Sequence, residues 1–164
     1  MRFTDTGHVL AIASRARSRV KRQANDFGIS RQYASYEALL EDEAFDAVYI
    51  STIHPFHAEW AIKSAQAGKH ILVEKPISMN SAEAEVMIQA AREHDVFLME
   101  AFMYRTHPQT DKIREIIETE FKDAPLIIEA SFGFSADVPD KHRLVNPELG
   151  GGSIMDIGCY PMSM

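Results

Sequence analysis

Strand-like and helix-like stretches alternate at close spacing along most of this chain, and this alternation constrains its fold more than any other feature. The strand-like stretches are residues 8–14, a few residues around Gln32, and residues 46–52, 70–74 and 96–101. Between two of them, Ala58, Ala61, Ile62 and Ala65 follow the spacing of one helical face. Parallel strands need a crossover connection that is long enough to hold a helix. The sequence therefore predicts an α/β fold in which helices cover a parallel sheet.

Glycine and capping residues mark the predicted helix boundaries. Helices are predicted over residues 15–27, 36–40 and 108–119, and over two apolar stripes that begin at Ala58 and Ala84. Gly28 and Gly68 follow two of these patterns, and glycine at that position commonly ends a helix in the left-handed conformation. Asn80 with Glu83 predicts an N-terminal cap for the helix that follows.

The pattern changes after Pro125. Residues 126–134 predict a longer strand with Ile128, Ala130, Phe132 and Phe134 on one face, and residues 135–148 predict an irregular polar segment. Residues 150–164 (GGGSIMDIGCYPMSM) predict a glycine turn that leads into a helix. We therefore predict one domain over residues 1–123 and the beginning of a second domain over residues 124–164.

Composition narrows the possible partners. The chain of 164 residues is 46% hydrophobic and 25% charged, as is usual for soluble globular proteins. Its net charge of −7 disfavours nucleic acid or a membrane surface as a partner, so we expect a small molecule or a protein. Cys159 is the only cysteine, which excludes an internal disulfide and a zinc site of several thiolates, and we expect no metal site. No apolar run is long enough to span a bilayer, and we expect a cytoplasmic protein.

Ligands of open parallel sheets bind beyond the carboxyl ends of the strands, so polar residues at those ends are candidates. They are Ser14 and Arg15; Ser51, Thr52, His54 and His57; Glu74, Lys75 and Pro76; and Tyr104 and Arg105. Pro76 cannot continue a strand ladder and biases Lys75 toward an extended backbone, which would hold the lysine at the strand exit. Each group also has a structural interpretation, as a solvated helix face, as hydrogen-bonding histidines, as an exposed ion pair or as packing and surface charge.

Asp156 and Tyr160 form a further pair in the glycine-led helix. They are four residues apart, which places both side chains on one helical face. An acid and a phenol that face one site could bind and deprotonate an alcohol. Alternatively, Tyr160 belongs to the core and Asp156 is a first-turn acid that the helix dipole favours.

Four segments in this order resemble the glucose–fructose oxidoreductase, inositol dehydrogenase and rhizopine-catabolism family (Gfo/Idh/MocA). They are AGKHILVEKP (67–76), STIHPFH (51–57), EAFMYRTHP (100–108) and GGGSIMDIGCYP (150–161). The resemblance covers essentially the whole chain. It implies a Rossmann-type parallel sheet with helices on both faces, followed by the start of an α+β second domain. It also implies a nicotinamide-dependent oxidoreductase that acts on a sugar, a polyol or a related alcohol or carbonyl.

The resemblance also implies roles for individual residues. Lys75 would be the active-site lysine, and Asp156 would help to hold the substrate. Many members have histidine where this chain has Tyr160; tyrosine there resembles the dihydrodiol dehydrogenase and NADP-linked xylose dehydrogenase branch, in which the tyrosine is taken as the acid–base residue. We expect Tyr160 to accept the hydroxyl proton while hydride leaves for the cofactor, with Lys75 lowering the pKa of the phenol.

NADP is the expected cofactor, and NAD is the weaker alternative. An arginine after the strand that meets the adenosine ribose accommodates the 2′-phosphate of NADP, and Arg15 stands at this position where an acid would favour NAD. The candidate cofactor-binding residues are Ser14, Arg15, Ser51, Thr52, His54, His57, Glu74, Lys75, Pro76 and Arg105.

We further expect the first strand of the family and its Gly-x-Gly-x-x-Gly turn to precede residue 1, and most of the second domain to follow Met164. In the strand order 3-2-1-4-5-6 the first strand is central, so its absence would leave strands two and three without their partner. The whole protein is expected to be a homo-oligomer. Two alternatives are a non-catalytic regulator of the same fold, which binds dinucleotide or sugar, and an inactive truncated remnant.

Overall fold

A computed structural model describes residues 7–122 and 127–164. The strands in these ranges are β1 (Ala11–Ala13), β2 (Arg31–Tyr33), β3 (Ala47–Ile50), β4 (His70–Val73) and β5 (Leu98–Glu100). The α-helices there are α1 (Arg17–Phe27), α2 (Tyr36–Leu40), α3 (His57–Gln66), α4 (Ser81–Glu93), α5 (Pro108–Glu120) and α6 (Cys159–Ser163). Short 3₁₀ helices lie at His54–Phe56, Met103–Thr106 and Pro147–Leu149, and a π-helical turn at Ile154–Gly158 precedes α6.

All strand pairs are parallel among the residues described. β1 pairs with β2, with Ile12 opposite Gln32. β4 lies between β3 and β5, with Ile71 opposite Val48 on one side and Leu98 on the other. Among the described residues, no hydrogen-bonded ladder joins β1 to β3. In the order 3-2-1-4-5-6 these two strands would correspond to strands two and four, and the first strand of that order lies between them. The parallel α/β architecture predicted from the sequence is confirmed.

Helices α3 and α4 cover the sheet of β3, β4 and β5. Burial alternates along β4, where Ile71 and Val73 are buried and Leu72 is exposed. The core joins these strand residues to Ile50, Ala61, Ala65, Met87 and Ala90. Fully burying a side chain such as Val73 or Met87 contributes roughly 1.5–3 kcal/mol, so this cluster fixes the sheet against its helices.

Local signals act at the predicted helix boundaries. Gly28 ends α1 with φ of 68°, and its N–H contacts the carbonyl of Ala24. The Asn80 side chain accepts from the Glu83 N–H at 3.0 Å, while the Glu83 carboxylate accepts from the Met79 N–H, so α4 begins with the predicted cap. Every helix in the two described ranges is too short or too polar to cross a membrane.

The predicted strand over residues 126–134 is wrong for its described part. Residues 127–134 have no regular secondary structure, and Ile128, Phe132 and Phe134 are exposed. Alternation of apolar residues produces a strand only where another strand satisfies the backbone N–H and C=O groups, and none does so within the described ranges. Leu126 and the predicted domain boundary at 123/124 lie outside those ranges, so the boundary stays a prediction.

Candidate active site

Lys75 stands where β4 leaves the sheet. The N–H of Glu74 still donates to the carbonyl of Ile50 at 2.9 Å, so the β3–β4 pairing reaches the residue before the lysine. The N–H of Lys75 donates to the Glu74 carboxylate at 3.2 Å instead of to a strand. The next peptide bond, to the buried Pro76, is cis. The lysine is therefore presented at the strand exit, as the proline predicted.

The Lys75 side chain meets Asp156. Its Nζ donates to the Asp156 carbonyl oxygen and lies 3.6 Å from Asp156 Oδ1. The two side chains are only 15% and 14% exposed, so water screens this pair less than an ordinary surface ion pair. Two residues far apart in the chain are thus brought together, and the glycine-led segment is anchored to the exit of β4.

Lys75 and Asp156 border a pocket of about 270 Å³. Its walls are Ser51, Thr52, Ile53, His54, Glu74, Lys75, Arg143 and Asp156. Six of these eight residues are among the predicted site residues. A pocket of this size suits part of a ligand, such as a nicotinamide or a sugar ring, because drug-sized ligands take about 300–1,000 Å³.

Arg143 is a pocket residue that the sequence reasoning missed. One guanidinium nitrogen lies 3.7 Å from Asp156 Oδ1, and the side chain is about half exposed. The residue falls in the irregular segment after Ser135, which has no periodicity to indicate where its side chains face. Its place between the predicted start of a second domain and the glycine turn was the only available signal.

The hydroxyl of Thr52 is a buried donor and acceptor without a protein partner among the described residues. Thr52 follows β3 and lines the pocket. A buried polar group that lacks a hydrogen bond destabilises a fold by about 1–3 kcal/mol. The site therefore has unused hydrogen-bonding capacity where a ligand would lie.

His57 contacts two backbone carbonyl groups and does not line the pocket. It is fully buried, with Nδ1 2.8 Å from the Pro76 carbonyl and Nε2 3.0 Å from the Thr52 carbonyl. A neutral imidazole has one N–H and donates to one of these oxygens, whereas a protonated ring donates to both. His57 thus forms an internal bridge between two strand exits, and its contact with a cofactor stays a prediction.

His54, which follows β3, connects this part of the chain to the glycine-led segment. Its Nδ1 lies 3.2 Å from the Gly150 carbonyl, and burial lowers the pKa of His54, while the Gly150 contact partly offsets this. Gly150 has φ of 72°, and a Cβ on it would come within 2.8 Å of His54 Nδ1 and 2.9 Å of Met79 Sδ. The first glycine of the GGG run is thus required by both its conformation and this close approach.

Tyr160 packs in an aromatic cluster beside Lys75. Its ring centroid is 5.4 Å from that of Phe102, 5.5 Å from Phe132 and 6.2 Å from Tyr104. Lys75 Nζ lies 5.2 Å from the Tyr160 ring centroid, near the face of the ring. Tyr160 does not contribute to the described pocket walls. The packing interpretation and the functional interpretation of Tyr160 therefore both agree with its position.

The predicted direction of the Tyr160 pKa is wrong. Burial, followed by the electrostatic influence of the acidic groups of Glu74, Cys159 and Asp156, raises the pKa of the phenol. Lys75 is engaged by Asp156, and the surrounding acids act in the opposite direction. The site holds Tyr160 as a protonated phenol at neutral pH.

The side chain of Glu74 forms a hydrogen bond with a second tyrosine, Tyr49. The Tyr49 hydroxyl donates to Glu74 Oε1, and burial together with this carboxylate raises the pKa of Tyr49 to about 12. Glu74 is therefore a carboxylate that accepts from Tyr49 and from the Lys75 backbone.

The remaining candidates lie away from this pocket. Ser14 accepts from the Ala16 N–H at 3.3 Å, and the exposed Arg15 lies 5.2 Å from the Phe56 ring centroid. Arg105 contacts the Ser163 carbonyl at 3.3 Å and lies over the Phe102 ring. The structure thus brings the carboxyl ends of β3 and β4 together with Asp156, and leaves Ser14, Arg15 and Arg105 at separate places.

Parallel strands, crossover helices and polar strand exits define this chain as an α/β protein of Rossmann type with a site at the carboxyl edge of its sheet. The chain belongs to the oxidoreductase family with an NAD-binding Rossmann fold (GFO_IDH_MocA), whose family model matches residues 1–102. This finding confirms the family that the four sequence segments predicted.

Relatives with established names fall in the predicted branch. The chain is 40% identical over 155 residues to D-xylose 1-dehydrogenase (NADP(+)) 2 of Haloferax volcanii, covering 93% of this chain and 47% of that protein. It is 40% identical over 152 residues to trans-1,2-dihydrobenzene-1,2-diol dehydrogenase of Xenopus tropicalis, with coverage of 93% and 46%. The chain spans about half the length of these curated relatives.

A solved structure shows the same fold. A 3-ketoreductase from Actinomadura kijaniata, in complex with NADP and TDP-benzene, superposes with a TM-score of 0.85 at 36% identity. The match covers 98% of this chain and 49% of that one. The predicted Rossmann-type fold is therefore confirmed.

Proposed function

We propose that this chain is part of an NADP-dependent oxidoreductase that interconverts a carbonyl and a hydroxyl group on a sugar, a polyol or a trans-diol. The observation that supports it most is the meeting of Lys75 and Asp156 at a pocket that also holds the Thr52 hydroxyl, which has no partner within residues 7–122 and 127–164. Relatives named for xylose, dihydrodiol and keto-sugar chemistry agree with this substrate range.

The pocket residues suit a nicotinamide cofactor. The Thr52 hydroxyl offers a hydrogen bond to a ribose or carboxamide group, and the small Ser51 beside it leaves room for close approach. Arg15, exposed at the end of β1, would accommodate the 2′-phosphate of NADP, and the names of the xylose dehydrogenase and the ketoreductase structure include NADP. Bound NADPH supplies hydride to a carbonyl carbon.

Tyr160 is the group that we assign to proton exchange with the substrate oxygen. A phenol that stays protonated at neutral pH can give its proton to a carbonyl oxygen as that oxygen gains negative charge. Lys75, oriented by Asp156, places a positive charge close to the same ring. In the reductive direction Tyr160 would act as a general acid, and in the oxidative direction its phenolate would act as the general base.

Arg143 is the substrate-binding residue that we add to the site. Its guanidinium lines the pocket, is half exposed and stands 3.7 Å from Asp156 Oδ1, beyond hydrogen-bond distance. A planar guanidinium binds paired oxygens well, so Arg143 would hold vicinal hydroxyls or a phosphate on the substrate.

The test is turnover by the full-length protein. NADPH oxidation is followed with keto sugars, aldoses and cyclic diketones, and NADP reduction with the matching polyols and trans-diols. Lys75→Met should lower turnover at least about 100-fold, whereas the same substitution at the exposed Lys112 should leave it unchanged. Equal turnover in both variants would remove Lys75 from the mechanism.

Thermal melting with each nicotinamide cofactor distinguishes the enzyme from the two alternatives, a non-catalytic regulator and an inactive remnant. NADPH at 100 times its dissociation constant should stabilise the protein by about 2.7 kcal/mol. A larger shift with NADH would show that Arg15 does not select the cofactor. A shift without turnover on any substrate would favour the non-catalytic regulator, and the absence of both would favour an inactive remnant. A homo-oligomeric assembly and a cytoplasmic location stay predictions.

A further inference from the structure

One partly buried acid takes no part in the proton transfer proposed above. Glu100 is the last residue of β5, and its Oε1 accepts from the N–H of Ile77 at 2.7 Å. Glu100 is absent from the described pocket walls, and its carboxylate contacts the protein backbone instead. Ile77 is two residues beyond the site lysine.

The same peptide unit is held at its other end. The Pro76 carbonyl and the Ile77 N–H belong to one peptide group, and the carbonyl oxygen lies 2.8 Å from His57 Nδ1. Two side chains from different elements, the first residue of α3 and the last of β5, therefore take both polar atoms of this unit. A peptide group bonded at both ends by one buried and one partly buried side chain has little freedom to rotate.

These contacts lie just after the lysine, and ladder bonds lie just before it. The Glu74 N–H donates to Ile50, and the Ala101 N–H donates to the Val73 carbonyl at 2.8 Å. Lys75 thus has a fixed backbone on both sides, and its Nζ extends from this point to Asp156. Rotation of the Pro76–Ile77 unit would change the direction in which the side chain leaves the backbone.

Burial raises the pKa of Glu100 above its ordinary value, and the Ile77 N–H, Arg105 and His57 offset this only in part. The Ile77 N–H is the contact that favours the charged carboxylate, since it donates to Oε1. Ala101, which follows Glu100, is itself bonded to β4, so the backbone that carries the carboxylate is part of the sheet edge.

We propose that Glu100 is a positioning residue: by holding the Pro76–Ile77 peptide unit against His57, it directs Lys75 Nζ toward Asp156. The expected effect of Glu100 on turnover rests on the proposed function, but its expected effect on the position of Lys75 does not. The sequence segment EAFMYRTHP contains this residue, although only Tyr104 and Arg105 of that segment were candidates from the sequence.

Lysine reactivity tests the proposal without any substrate. The full chain is labelled with trace amounts of an acetylating reagent, and peptide mass spectrometry compares Lys75 with Lys69. Lys69 is a buried internal reference, because its Nζ donates to the Asp42 and Phe45 carbonyls at 2.8 Å. Glu100→Leu removes the acceptor for Ile77, and Lys75 labelling should rise at least about fivefold with Lys69 unchanged.

Matched variants define the outcomes. Glu100→Gln keeps an oxygen that can accept from Ile77 and should restore Lys75 protection to within about twofold. Glu118→Leu makes the same change on the exposed face of α5 and should alter nothing. If Glu100→Leu fails to fold, Glu100→Asp, which is one methylene shorter, should still expose Lys75. Unchanged Lys75 labelling, or an equal rise at Lys69, would overturn the proposal.

Turnover supplies a second readout. If the full-length protein is active, Glu100→Leu should lower kcat at least about tenfold while the dissociation constant of NADPH stays within about twofold, and Glu100→Gln should recover most of kcat. Loss of NADPH binding in step with kcat would indicate general disruption. Absence of activity in the unsubstituted protein would refute the proposed function and leave the labelling result unaffected.

Discussion

Replacing Gly150 with alanine should undock the glycine-led segment from the rest of the chain. Alanine in the left-handed conformation at φ of 72° costs about 1–2 kcal/mol. The new Cβ would also approach His54 Nδ1 to 2.8 Å and Met79 Sδ to 2.9 Å, and relieving such overlap costs about 1–3 kcal/mol. The two contributions together predict a loss of about 2–5 kcal/mol.

Gly28→Ala is the matched control for the conformational part. Gly28 has nearly the same φ, 68°, but an added Cβ would meet nothing within 4 Å. Its substitution should therefore cost about 1–2 kcal/mol, from backbone conformation alone. The difference between the two variants isolates the close approach to His54.

Hydrogen exchange with mass spectrometry measures the effect locally. In the unsubstituted chain the N–H groups of Gly151 and Gly152 are bonded to Asn146 and Leu144. In Gly150→Ala, exchange over residues 144–156 should accelerate about 25-fold or more, since every 1.4 kcal/mol changes the opening equilibrium tenfold. Exchange at α3 and α4 should change less. Equal effects of the two alanine variants on their own segments would refute the role of the His54 contact.

Three further predictions concern single side chains. Tyr160→Phe should lower turnover by about 10²–10⁴-fold with little change in unfolding free energy, because the ring stays in its aromatic cluster and only the proton donor is lost; enzyme assays with urea titrations as a control check this. The pKa of His54 is lowered by burial, so its stabilising contribution is present above its ordinary pKa near 6.5 and is lost as pH falls through the lower folded value; the pH dependence of unfolding should flatten in His54→Gln. Lys69→Met should lower the unfolding free energy by about 1–3 kcal/mol, because the Asp42 and Phe45 carbonyls lose their ammonium donor, and a decrease below about 0.5 kcal/mol in urea denaturation would contradict this.

Local patterns predicted much of the fold. The boundaries at Gly28 and Asn80 follow from conformational freedom and side-chain capping, which depend on a few neighbouring residues. The buried β4 residues Ile71 and Val73 were recognisable as apolar strand positions. Residues 127–134 have an equally regular pattern and form no strand, because a strand also requires a partner that a local pattern does not supply.

The candidate site was predictable in part. Pro76 after Lys75 indicated a side chain held at a strand exit, and Lys75 does stand there. The sequence did not indicate Arg143, which lies in a segment without periodicity. It also suggested that Lys75 would lower the pKa of Tyr160, whereas the burial of the ring and the nearby acids raise it. Such electrostatic effects depend on distances that no spacing along the chain contains.

By itself, the sequence determined the parallel α/β architecture, the family and the position of Lys75 at the end of β4. These properties depend on periodicity and on the backbone limits of glycine and proline, which act over a few residues. Tertiary structure alone decided that His57 bridges two strand exits, that Glu100 and His57 hold the two ends of one peptide unit, and that Asp156 engages Lys75. The physical reason is that these contacts join residues distant in sequence, so they exist only once the sheet has brought its strand ends to one edge.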